Sequence, residues 1–452
     1  MQAGAGIAPA AALLGALPAE PEAKGTVMIV LLFVLLFSLI GIGFSIWSAM
    51  GISGVAYILI RGDVSLRVAV SQMVGGVDSS TLFAIPFFIF AGNLMNHSGI
   101  TRRLADFADF FVGKFRAGLA YVSIVVSIIM AGVSGSAVAD ASSVSSVLHP
   151  IMKERKYKDT FAAAINSSSA VIGPIIPPSI PMIIIGVISG ISIGKLFLGG
   201  IVPGLLMGAF LWVAATVHAR REKYPVAEAE VSFRRFLSVL KDTFLALLAP
   251  AFVISGVVFG FVTLVEVAAL AIVYILFLSL VVYRSIDLKK LFEVFKDTAV
   301  FGSSIMIIFA VVGLYQYIVA SEHLGESLSN LVFSLNMTPG LFLAFTLILF
   351  LLLGCILDAV PVMLIFFPVL LPIATELGID PTHFGVVVVL NLMIGLLTPP
   401  IGALLFIQTK IANLQFNDLV RAVWPYTLAL IAVLVLITYV PELVLWIPEL
   451  VF

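Results

Sequence analysis

The sequence predicts an all-α polytopic membrane protein, arranged as an inverted repeat with two re-entrant helical hairpins and two proline-broken helices. Three observations carry this. First, 61% of the 452 residues are hydrophobic and 11% are charged, with mean hydropathy +1.20, whereas soluble domains carry about 25% charged residues. Second, a proline-paired block occurs twice, Gly173-Pro-Ile-Ile-Pro-Pro-Ser179 returning as Gly395-Leu-Leu-Thr-Pro-Pro-Ile401. In both copies Gly lies four residues before the first Pro of the pair, and another Pro follows 25 residues after the second, Pro203 and Pro425. Third, each half contains two apolar arms of about 15 residues, too short to cross a bilayer that needs roughly 20, joined by a short break. β-Barrel alternation is absent, so the backbone must satisfy itself within helices.

Residues 1–25 are rich in Ala, Gly and Pro, lack the basic start of a secretory signal, and read as a flexible tail or linker remnant. The first repeat is expected over 26–241. It comprises scaffold helices within 27–98, with spans at 27–47 and 80–98, then an interfacial arm at about 99–116 and a hairpin at 117–152. A broken helix at 159–190 and a helix at 194–218 complete it. The second repeat, 242–452, follows the same plan. Its scaffold helices fall within 243–320, as spans 243–260, 262–283 and 298–320 with a turn near Gly260; a hairpin at 338–376, a broken helix at 383–409 and a helix at 422–440 follow. Residues 64–74 and 287–298 read as short interfacial helices.

Basic residues set the orientation. Arg220, Arg221, Lys223, Arg234, Arg235 and Lys241 fill one polar loop, and Arg284, Lys289, Lys290 and Lys296 another; both are cytoplasmic by the positive-inside rule. Lys114 and Arg116 precede the first hairpin, and Lys153, Arg155, Lys156 and Lys158 follow it, so this hairpin enters from the cytoplasm and turns at Gly132-Val-Ser-Gly-Ser-Ala-Val-Ala-Asp140. The second turns at Gly354-Cys-Ile-Leu-Asp358 between flanks without basic residues, and enters from outside. Matching by residue type pairs Ile89-Phe-Ala91 with Ile308-Phe-Ala310, Asp140 with Asp358 and Pro150 with Pro368, the offset drifting from 219 to 218 and then to 222 at the Pro pairs. Arg61 and Arg67 fall outside in this scheme, against the rule.

Unwound backbone in hydrocarbon is tolerated only where protein or a polar cavity covers it. Breaks at matching places in two halves therefore mark a midplane site. Each Gly/Ser-rich tip can meet the Pro-broken loop of its own half, exposing carbonyls and hydroxyls that suit a hard monovalent cation such as Na⁺, while half-helix N-termini favour an anion. Two cation sites flanking one anion site is the reading of the duplicated layout. Asp140 and Asp358 are ionisable at depth and hence functional candidates, although Asp140 also suits a helix cap. Helix packing is the alternative role for Ser134 and Ser136, and Ser167 to Ser169 suit packing and function equally well. The sole cysteine, Cys355, allows no internal disulfide. The net charge of −1, without a basic tract, offers nothing to nucleic acid, the five His residues lack metal-ligand spacing, and no G-x-x-x-x-G-K-[ST] loop suggests an ATP-driven pump.

The two tips and the two Pro-paired blocks together closely resemble the large membrane subunit of tripartite ATP-independent periplasmic (TRAP) transporters, from about Val27 to the C-terminus. The resemblance implies an elevator-type fold like that of the ion transporter superfamily, in a multi-pass protein of the bacterial inner membrane. It also implies sodium symport of an organic acid, such as a C4-dicarboxylate, sialic acid or another sugar acid. The acid would be delivered by a periplasmic substrate-binding protein, and a small four-helix membrane subunit, expected as a separate chain, would sit alongside in the lipid bilayer. Na⁺ is the coupling ion and no other metal or cofactor is implied. Carried over by position, the sodium ligands are Ser134, Gly135, Gly173 and Pro177 in one half and Gly354, Gly395, Thr398 and Asp358 in the other. Ser136, Ser179 and Asp358 would contact the substrate. A stand-alone dicarboxylate symporter without partners is the alternative. An intramembrane serine protease rests only on the string Gly132-Val-Ser-Gly135 and lacks a His base within reach.

Overall fold

The computed structural model describes residues 21–224, 232–258 and 262–452. Most of the expected tail and the turn expected near Gly260 lie outside the described residues. Among the described residues the protein is all-helical, and seven single helices are long and apolar enough to cross a membrane.

The first half runs α1 (Pro21–Ile42), α2 (Ile46–Arg61), α3 (Leu66–Val77), α4 (Ala84–His97), α5 (Ile100–Val112), α6 (Gly118–Ser134), α7 (Ala137–Glu154), α8 (Asp159–Ala170), α9 (Ile180–Ser189) and α10 (Ile193–Arg221). The second runs α11 (Phe233–Val258), α12 (Leu264–Phe277, extended by a π-turn at Leu278–Val282), α13 (Leu288–Ser321), α14 (Leu324–Ser334), α15 (Pro339–Ile356), α16 (Ala359–Glu376), α17 (Pro381–Gly395), α18 (Ala403–Ala412), α19 (Phe416–Tyr439) and α20 (Glu442–Val451). Local chemistry sets many of these boundaries. Gly43, at φ +104°, ends α1. Thr263 and Glu266 close a reciprocal capping box on α12, and Asp380 caps α17 by accepting from Thr382 and His383 N–H at 2.7 and 3.0 Å, with Pro381 at the first helical position.

Both hairpins and both broken helices are present, α6–α7 with α8–α9 and α15–α16 with α17–α18. The helix at 46–61 was not expected, and 287–298 is not a separate interfacial helix. It is the start of α13, a 34-residue helix. Its charges at Lys289, Lys290, Glu293 and Lys296 suggest an interface, but no proline interrupts 288–321; in the first half Gly75-Gly76 and Asp78 end α3 instead.

These bounds give the repeat a constant register. Leu66 and Leu288 start helices, Ser134 and Ile356 end them, Ala137 and Ala359 start the return arms, and Glu154 and Glu376 end those arms, each pair 222 residues apart. Asp140 therefore does not correspond to Asp358, nor Pro150 to Pro368. Ser136 corresponds to Asp358 and Pro150 to Pro372. Both Ser136 and Asp358 sit just before a return arm and cap it, accepting from Ala139 N–H at 3.4 Å and Val360 N–H at 3.2 Å.

The chain divides into two compact units. One holds the described residues up to Ser79, with Ser303–Met337 and Leu364–Ile373. Here α3 crosses α13 backbone to backbone: a Cβ on Gly76 would lie 2.5 Å from Phe309 O, and Gly313 meets Gln72 O and Gly76 equally closely. Ser53 and Tyr315 hydroxyls hydrogen-bond. Glu322 accepts from both Tyr57 and Arg61, and Arg61 also pairs with Asp63 at 2.9 Å. Arg61, one of the two residues at odds with the orientation rule, is thus held between two carboxylates. The other unit, Ser80–Gly302, Thr338–Met363 and Ala374–Phe452, contains both hairpin tips and both Pro blocks.

Candidate functional site

In this second unit each tip meets the broken loop of its own half. The bond between the paired prolines is cis in each loop, at Pro177-Pro178 and Pro399-Pro400. At the first tip α6 ends at Ser134, Gly135 adopts φ +58°, and Ser136 starts the return arm. A Cβ on Gly135 would lie 2.5 Å from Pro178 O, so only a bare Cα lets the tip seat on the loop. At the second tip a Cβ on Gly395 would lie 2.7 Å from both Cα and C of Gly354. Ile401 N–H donates to Cys355 O at 3.3 Å, tying loop to tip.

The polar groups at the two junctions differ. Asp140 is fully buried, accepts a hydrogen bond from Ser134 Oγ through Oδ1, and holds Oδ2 where a Cβ on Gly173 would collide with it. Oδ2 has no hydrogen-bond partner among the described residues. The constant register places Ile356 and Val362 at the equivalent positions of the second half, where there is no matching pair. Instead Thr398, buried, donates through Oγ1 to Ile394 O at 2.9 Å, keeps its lone pairs available, and is tied by its N–H to Gly395 O at 2.9 Å. Asp358 is exposed rather than enclosed and acts as the cap of α16.

The structure thus brings Ser134, Gly135, Gly173 and Pro177 together with the loop, and Gly354, Gly395 and Thr398 likewise. It does not bring Ser179 to an open surface. Ser179 is fully buried, donates to Pro174 O and accepts from Met182 N–H at 3.2 Å, so both its functions are used inside the loop. Ser136 does face open space. With Ser134, Ser142, Ser143 and Ser146 it lines a cavity of about 470 Å³, whose other wall carries Asn93, Asn96, His97 and Asp297. Asn96 Oδ1 is buried with no partner among the described residues. No Lys or Arg lines this cavity among the described residues.

The sequence marks Asp140 as a functional candidate without assigning it to either sodium set, and leaves the Asn93/Asn96 wall out of the site. Their signal was present: Asn93 and Asn96, spaced i, i+3, share one face of an otherwise apolar helix. The serine-protease reading finds no Ser–His pair among the described residues, because Ser134 Oγ donates its hydrogen bond to Asp140 and His97 bonds through Nδ1 to Asn93 O at 2.9 Å. The two halves also interlock: Gln408, on α18, donates to Ala141 O at 3.3 Å and to Ser145 Oγ on the return arm of the first hairpin.

Comparison with known proteins places this architecture. Residues 33–443 match the family model of the tripartite ATP-independent periplasmic transporter, DctM component. The chain is 37% identical over 416 residues to the sialic acid TRAP transporter large permease of Vibrio cholerae, covering 92% of this chain and 96% of that protein. It is 37% identical over 411 residues to the 2,3-diketo-L-gulonate large permease of Escherichia coli, covering 90% and 95%. With the C4-dicarboxylate large permease of Pseudomonas aeruginosa identity is 35% over 401 residues, covering 89% and 94%. Among solved structures, the YdaH transporter of Alcanivorax borkumensis superposes with a TM-score of 0.62 at 13% identity, over 82% of this chain and 88% of that one, and shares the fold. The chain belongs to the DctM family, the large permease component of tripartite ATP-independent periplasmic transporters.

Proposed function

We propose that this inner-membrane permease imports an organic acid in symport with Na⁺, moving it by an elevator mechanism. A periplasmic binding protein hands the acid over, and a small four-helix membrane subunit stands beside the chain. The observation that carries this reading is the seating of each hairpin tip on its own Pro-broken loop, in one constant register, with the buried and half-paired Asp140 at one junction and the lone pairs of Thr398 at the other. Carbonyls of unwound backbone, hydroxyls and a single carboxylate form a donor set for a hard monovalent cation. Ser134, Gly135, Gly173 and Pro177, joined by Asp140, hold one Na⁺; Gly354, Gly395 and Thr398 hold another. Asp358 is kept for the substrate side, where its exposure leaves it free to accept from a hydroxyl. The division of the chain into two compact units supports the elevator part of this reading.

The relatives are named for sialic acid, 2,3-diketo-L-gulonate and C4-dicarboxylates. A cavity without Lys or Arg but with Asn93, Asn96 and several Ser favours a hydroxylated monocarboxylate of the sugar-acid class. Its one negative charge is met by the Na⁺ at the first junction and by the start of α7, and its hydroxyls by amides and hydroxyls; a dianion would meet no Lys or Arg in a wall that already carries the Asp297 carboxylate. In proteoliposomes uptake is expected only with an inward Na⁺ gradient, the binding protein and the small subunit together. Uptake that proceeds without Na⁺ would overturn the coupling, and uptake by the chain alone would favour a partner-free symporter.

Thr398→Val tests the second cation cluster. The substitution preserves volume and leaves Ile394 O paired with Leu397 N–H at 2.9 Å, yet removes one neutral oxygen ligand. The Na⁺ concentration for half-maximal uptake should rise about 3- to 10-fold, the equivalent of one ordinary hydrogen bond. An unchanged sodium dependence would assign Thr398 to packing.

A further inference from the structure

A second cavity, of about 590 Å³, lies at the opposite end of the first hairpin arm, between the start of α6 and the end of α10. Phe115, Arg116, Tyr121, Trp212, Thr216 and Arg220 line it. Tyr121 stands 13 residues before Ser134, roughly 20 Å along the helix at 1.5 Å per residue, so this cavity is separate from the transport site.

Its wall is built and fixed. The Tyr121 and Trp212 rings stack at 4.0 Å with 6° between their planes, and the Phe115 ring meets Tyr121 edge-on at 6.1 Å. Thr216 Oγ1 donates to Trp212 O at 2.7 Å, and Tyr121 OH donates to Thr216 Oγ1 at 2.7 Å. Arg116 and Arg220 are exposed and make no ion pair among the described residues. Acidic residues near them in sequence are engaged elsewhere, Asp109 by Arg155 at 3.3 Å and Glu222 by Lys158. The cavity is therefore an aromatic box with two free guanidinium groups, and Lys114, Arg221 and Lys223 add positive charge at the same level of the sequence.

That combination selects a phosphate. Guanidinium forks match phosphate oxygens, and Trp and Tyr settle at the headgroup level of a bilayer. The basic flanks put this level on the cytoplasmic side, where basic pockets between transmembrane helices bind anionic headgroups. Below it the helices offer acyl chains an apolar surface: Phe111 and Phe115 are 46% and 47% exposed, and Val213 and Val217 on α10 are 63% and 46% exposed. A volume of about 590 Å³ lies inside the ~300–1,000 Å³ range of small-molecule sites.

We propose that this cavity binds the phosphate group of an anionic phospholipid of the cytoplasmic leaflet, with Arg116 and Arg220 as its ligands and the Tyr121–Trp212 stack as its floor. The lipid holds the base of the first hairpin arm to α10.

The full chain, isolated in neutral detergent, is titrated with phosphatidylglycerol, with phosphatidylcholine and inorganic phosphate as parallel titrants. Phosphatidylglycerol should bind more tightly than phosphatidylcholine, and less tightly as salt is raised. Arg116→Gln and Arg220→Gln should each weaken it about 5-fold and the double variant roughly 30-fold, as expected for one surface charge each. The Lys double variant should keep most of the binding, and an unchanged thermal transition confirms that the Gln variants are folded. Equal affinity for the two lipids, or a folded double Gln variant that binds phosphatidylglycerol normally, would overturn the site. Saturation by inorganic phosphate without preference for phosphatidylglycerol would overturn the lipid as its source.

Discussion

Asp140→Asn is expected to raise the Na⁺ concentration for half-maximal uptake by about 10- to 100-fold, the cost of losing a charged hydrogen-bond partner worth ~1.5–3 kcal/mol. The reason lies in what surrounds the carboxylate. Asp140 has no exposed surface, one oxygen accepts a hydrogen bond from Ser134 Oγ, and the other, without a hydrogen-bond partner among the described residues, sits where a Cβ on Gly173 would collide with it. A buried ionised carboxylate without a counter-charge costs several kcal/mol even after relaxation, so such a group either takes up a proton or is met by a positive partner, for which the unpaired Oδ2 is the open position. The loop opposite, with its free carbonyls, is the place where one can sit. Asn is nearly isosteric and keeps the bond to Ser134, yet it replaces the acceptor Oδ2 by an NH₂ donor that repels a cation. If Asp140 were only a favourable charge in the first turn of α7, worth about 0.3–1 kcal/mol of stability, Asn would leave the sodium dependence of uptake unchanged and shift only the thermal transition. Measuring both quantities on one preparation separates the two roles.

The parts of this architecture that show in the sequence are those written in backbone chemistry. Proline pairs and Gly/Ser tips break helices wherever they stand, so hairpins expected at 117–152 and 338–376 are found as α6–α7 and α15–α16, and both breaks fall where the Pro pairs are. Register was harder. Matching Asp140 to Asp358 and Pro150 to Pro368 follows residue identity, but the repeat conserves backbone geometry. The capping oxygen after the tip comes from Ser136 in one half and from Asp358 in the other, which identity matching cannot see. The i, i+3 spacing of Asn93 and Asn96 shows in the sequence, but it points to no ligand until Ser136, Ser142 and Ser146 are known to line the same cavity. Asp297 sat among charges read as an interfacial segment, and only the continuity of α13 places it in the cavity.

The two glycines of the second junction should respond very differently to a methyl group. A Cβ on Gly395 would stand 2.7 Å from the Cα and C of Gly354 and 3.0 Å from its O. All three are backbone atoms, so no side chain can rotate away and the tip itself must lift. A Cβ on Gly354 would meet Gly395 Cα and Leu392 Cδ2 at 3.3 Å and Leu392 O at 3.4 Å, distances that a shift of a few tenths of an ångström relieves. Gly395→Ala should therefore carry the usual penalty of an overpacked core, about 1–3 kcal/mol, while Gly354→Ala should cost well under that, offset in part by the better helix propensity of Ala. Lifting the tip also separates the carbonyl of Cys355 from the N–H of Ile401 and draws Thr398 away from the bare backbones beside it. The expected result for Gly395→Ala is thus a lower thermal transition together with sodium-driven uptake reduced at least about 10-fold at limiting Na⁺, the kinetic equivalent of ~1.4 kcal/mol. Gly354→Ala should retain most of both. Equal tolerance of Ala at the two positions would mean that the second hairpin does not rest on its loop when the transporter works, and would remove this junction from the sodium path.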